Sequence, residues 1–112
     1  YKVPHGLSNA LVLPQVLRFN AVIAPQSYAE IAACAFPDLA GLRPQAAATA
    51  FAEAMADLSK RCGLQQRLRD LGIKRGALPM LAGDAMNQTR LLVNNPRTVT
   101  QADALAIYEA VW

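Results

Sequence analysis

Few residues of this sequence have the types and spacing that chemistry requires, and the first is a single histidine. His5 stands between Pro4 and Gly6, just ahead of a long apolar stretch. An imidazole serves as general acid, general base or metal ligand, and the neutral ring is the form that a metal binds. A catalytic zinc or iron site draws on about three protein ligands. No carboxylate lies near His5 in the chain, the first acidic residue being Glu30. The patterns HExxH, CxxC, GxGxxG, GxSxG and the phosphate-binding loop are all absent. On residue types alone, His5 is a capping or surface residue, or one ligand of a site completed elsewhere. Gly6 beside it leaves room for a close approach of backbone or substrate.

The remaining candidates are weaker. Cys34 and Cys62 lie far apart in alanine-rich, apolar surroundings. They are expected to be small buried hydrophobes in a reducing compartment, not a disulfide framework or a zinc knuckle. Eleven Lys and Arg against eight Asp and Glu give a formal net charge of +3. The basic residues concentrate at Lys60-Arg61, Arg67-Arg69 and Lys74-Arg75, which reads as a solvated helical face. No aromatic residues interleave with them, so no base-stacking platform and no nucleic-acid partner is expected. Pro14, Arg18 and Asn20 interrupt the longest apolar runs, so no membrane span is expected either. Residues Tyr1 to Gly6 lack the hydrophobic segment of a secretory signal, which favours a cytoplasmic location. With no initiating Met, the true N-terminus is expected upstream.

The elements that must position these residues are helical. More than half of the chain is apolar, 54%, which with 112 residues suits one domain with a packed core and argues against disorder. Helical periodicity dominates, and no alternating run makes a convincing strand. A buried helix is predicted from about Leu7 to Phe19, kinked at Pro14, which cannot bond the carbonyl of Ala10. Ser27 and Glu30 form a capping box that opens a second helix, stopped by Pro37. Pro44 starts a third, with Phe51, Met55, Leu58 and Cys62 on one face and Gly63 as terminator. Leu64 to Leu71 is predicted as a short helix closed by Gly72. Leu78, Leu81, Ala85, Thr89 and Leu92 form a further stripe, with Pro79 in the first turn. Asn94-Asn95-Pro96-Arg97 is a turn, and Thr100 with Asp103 caps a last helix that presents Ala104, Ile107, Tyr108 and Val111. The expectation is an all-α, compact bundle of about six helices around a single core. Phe19, Asn20 and the Asn94 to Arg97 turn are read as structural, and Tyr108 and Trp112 as packing residues.

Two of these stretches carry a resemblance. Pro4-His5-Gly6-Leu7-Ser8-Asn9-Ala10, followed by Leu13-Pro14 and Arg18-Phe19-Asn20, is similar to the second signature stretch of the iron-containing (group III) alcohol dehydrogenases. Asn94-Asn95-Pro96-Arg97, then Thr100, Asp103, Ala104, Ile107 and Tyr108, resembles the way those enzymes end. The resemblance covers essentially the whole chain. It implies a two-domain, dehydroquinate-synthase-like architecture, of which residues 1–112 are the C-terminal all-helical part. It also implies an N-terminal domain that binds NAD or NADP and a metal, Fe2+ or Zn2+, held by one aspartate and three histidines. His5 falls at the last of these histidines, and the other three ligands have no counterpart here. Two departures stand out. Gln15 occupies a place where many members have histidine, and Leu91 or its neighbour lies nearest a cysteine found close to their substrate pocket.

The function implied is hydride transfer between an alcohol and an aldehyde or ketone, by a larger enzyme for which a homo-oligomer is among the expected partners. The isolated piece is expected to be inactive, without tightly bound cofactor. The competing reading is a stand-alone helical interaction module, or one that binds nucleic acid weakly.

Overall fold

The computed structural model describes residues 3–112. It is all-helical, with no strand among the described residues. Six α-helices follow one another: α1 (His5–Ala21), α2 (Pro25–Ala35), α3 (Pro44–Arg61), α4 (Leu78–Met86), α5 (Thr89–Leu92) and α6 (Gln101–Ala110). Short 3-10 turns at Pro37–Leu39, Leu68–Leu71 and Arg75–Ala77 join them.

Proline sets three of the starts. Pro25, Pro44 and Pro79 all lie in first turns, where a missing N–H leaves nothing unpaired. The second helix therefore begins at Pro25, and Ser27 lies inside it without capping it, contrary to the expected capping box. Helix α1 is longer than predicted and continues through Pro14. Helix α3 ends as predicted: Gly63 adopts φ 78°, its N–H bonds the carbonyl of Lys60, and the Leu64 N–H bonds that of Ser59. That pairing satisfies the last carbonyls of the helix and requires the left-handed conformation that glycine tolerates.

Between residues 64 and 71 only Leu68–Leu71 is helical. The Leu68 N–H bonds the carbonyl of Val111 at 2.8 Å instead of one in its own segment. The segment thus serves the open C-terminal end of α6, and a regular helix there would leave that carbonyl unpaired. The predicted stripe from Leu78 to Leu92 is likewise split, because Gln88 leaves the helical region between α4 and α5.

Among the described residues the buried hydrophobics gather in two clusters instead of one, and α1 contributes to both. Leu17 joins Ala32, Phe51 and Ala52, with Tyr28 and Phe36 tilted against the Phe51 ring. Alanines at 32, 48 and 52 are fully buried, so α2 and α3 approach closely. On the other side Leu11 joins Leu68, Ile73, Leu78 and Val111. Helices α2 and α3 thus lean on one flank of α1, and α4 and α6 pair on the other. Trp112 closes this second cluster: its indole N–H bonds the carbonyl of Ile73 at 3.0 Å, and Arg69 and Arg75 lie over its ring. Two of the clustered basic residues are thereby engaged in packing.

The cysteines overturn their expectation: Cys34 and Cys62 are both exposed and free. An alanine-rich neighbourhood in sequence covers all sides of a helix, so it did not report which side faces the core. Leu58, on the same predicted face as Cys62, is also largely exposed.

Candidate metal-ligating helix end and adjoining cavities

His5 opens α1, with Pro4 as its extended N-cap. The ring is exposed, at a helix end whose first N–H groups have no intrahelical partner. Ser8 bonds back to the carbonyl of His5 at 2.9 Å, which steadies this first turn. One turn on, the Asn9 amide nitrogen lies 3.2 Å from His5 Nε2. An amide nitrogen only donates, so this contact is a hydrogen bond when Nε2 offers its lone pair.

This arrangement fits a metal in a limited way. Imidazole is a suitable donor for iron or zinc, and the ring is neither packed into the core nor paired with a carboxylate. Among the described residues, however, no group of three or more His, Cys, Asp or Glu could hold an ion. The helix end offers one donor and needs others from outside these residues.

From His5 the same face of α1 carries Asn9, Val12 and Val16, four, seven and eleven residues on. Two cavities open along it. One, about 280 Å³, is lined by Ser8, Asn9, Val12, Leu81 and Tyr108. The other, about 230 Å³, is lined by Val12, Val16, Phe19, Asn95, Ile107 and Tyr108 among others. Val12 and Tyr108 line both. Burial, and secondarily the Asp84 carboxylate, raises the Tyr108 hydroxyl above the usual phenol range, so it stays protonated and able to donate.

The far end of α1 is fastened to the turn before α6. Asn20 is almost fully buried and pairs reciprocally with Asn95, amide to amide, at 2.7 and 2.8 Å. Asn95 also donates to the carbonyl of Arg97 at 2.6 Å. Arg97 donates to the carbonyl of Phe19 at 2.8 Å, and its guanidinium lies 3.9 Å from the centre of the Phe19 ring. Asn20 and the Asn94 to Arg97 turn thus have the structural role expected of them. That they hold each other was not legible, since neither motif names its partner. Tyr108 packs as expected and Phe19 stands near the end of α1 as expected, and both also border a cavity.

Among the described residues no helix is long and apolar enough to cross a membrane.

The family model "Fe-containing alcohol dehydrogenase family, C-terminal" matches residues 1–112. Lactaldehyde reductase of Escherichia coli (strain K12) is 33% identical over 112 residues, covering 100% of this chain and 29% of that protein. The 1,3-propanediol dehydrogenase of Klebsiella pneumoniae is 35% identical over 108 residues, 96% of this chain and 28% of its own length. A crystal structure of a 1,3-propanediol oxidoreductase superposes with a TM-score of 0.92 at 34% identity, over 100% of this chain and 29% of that one. The chain therefore spans less than a third of the length of the relatives it matches.

Proposed function

The chain belongs to the Fe-containing alcohol dehydrogenase family, and on that premise we propose that it is the helical C-terminal part of a metal- and NAD(P)-dependent oxidoreductase. The reaction is interconversion of an alcohol with an aldehyde or ketone by hydride transfer. The observation that carries this reading is His5, an exposed imidazole presented at the first turn of α1 within a stretch that matches the family along its whole length.

His5 supplies one of the metal's ligands, and the others come from outside these residues. When bound, a divalent metal supplies Lewis-acid polarisation of the substrate oxygen. The chain's own part is positional. The first turn of α1 holds the ring out from the core, and Asn9 limits its rotation through Nε2. Because His5 and Asn9 are both exposed, the amide can yield that lone pair to an ion without leaving a buried donor unpaired. Nicotinamide binding is assigned to an N-terminal nucleotide-binding domain outside these residues. Iron is favoured by the family's name, with zinc the other ion that this donor suits. The proposed location is the cytoplasm, where the two exposed thiols would stay reduced.

The test is His5→Ala in the full-length protein that contains this chain. Metal content should fall from stoichiometric to a small fraction, and alcohol-dependent reduction of NAD(P) should be lost with it. Stoichiometric metal with normal turnover in that variant would overturn the role.

A further inference from the structure

We draw no further inference here: the strongest candidate, the polar cavity of about 170 Å³ lined by Gln15 and Arg18 of α1 and by Gln66 and Arg67 beside the C-terminal end of α6, has both arginines exposed on a chain that spans less than a third of its relatives' length, and nothing in the structure shows what covers them.

Discussion

At the residue scale the decisive contacts are polar and few. Asn20 and Asn95 lie 75 residues apart in sequence yet satisfy each other's amides, and the pair joins the end of α1 to the turn before α6. Removing one amide leaves its partner short of a bond in a half-buried place. Asn20→Ala should therefore destabilise the fold by about 1–3 kcal/mol in urea or guanidinium unfolding. Asn20→Ala with Asn95→Ala should cost less than the two singles summed, because the second loss strands nothing new. Additive costs would show that the two amides act separately. The same scale explains where reading by residue failed. The neighbours of Cys34 and Cys62 suggest the interior, yet both are exposed, because burial is decided by the angle around a helix and by which neighbour packs there. Neither is written in local composition when alanine fills every side. The place of His5 at a helix start, in contrast, was legible, because Pro4 and Gly6 mark the chain there as turning into a helix.

At the element scale local chemistry made the ends of α3 and α6 legible but misplaced the start of α2, where Ser27 and Glu30 do not cap and Pro25 opens the helix. Thr100 and Asp103 cap α6 reciprocally, at 3.1 and 3.0 Å, as their spacing predicts. Gly63 and Pro44 bound α3 for equally local reasons. What could not be read was competition over distance: the Leu68 N–H leaves its own segment for Val111, and so a predicted helix shrinks to one turn. The cap also sets a pH dependence. Hydrogen bonds from the Thr100 backbone and then its side chain, with a smaller part from the Arg97 charge, hold the Asp103 carboxyl below the usual carboxylate range. A group lowered on folding contributes stability above its unfolded value and loses it as pH falls through the folded one. Helical ellipticity should therefore decline as pH drops below the ordinary carboxylate range. Asp103→Asn should lose that part of the decline. Identical acid profiles for wild type and Asp103→Asn would remove the cap from the explanation. Thr100→Ala should cost about 1 kcal/mol at neutral pH.

At the scale of the whole molecule, thickness limits what this chain can do alone. Its principal extents are 42 × 31 × 19 Å, and the shortest is under two helix diameters. A layer so thin has little interior, which is why the core divides on either side of α1 and why large apolar residues remain outside. Val22 is 63% exposed and Val93 78% exposed, with Ile23 and Leu91 also open to solvent. Scattered apolar residues are ordinary on a surface, but four within two short segments at the α1 and α5 ends ask for cover. The relatives are more than three times as long as this chain, so cover from further parts of a larger protein follows from the proposed function. Two measurements separate this from a stand-alone helical module. The native protein, found through its own peptides in source cells, should have about three times the mass of this chain. The 112 residues alone should self-associate as concentration rises in sedimentation velocity, and Val93→Asp with Ile23→Lys should reduce that association. A native product of 112 residues that stays monomeric would leave His5 without co-ligands, and the oxidoreductase reading would fall with it.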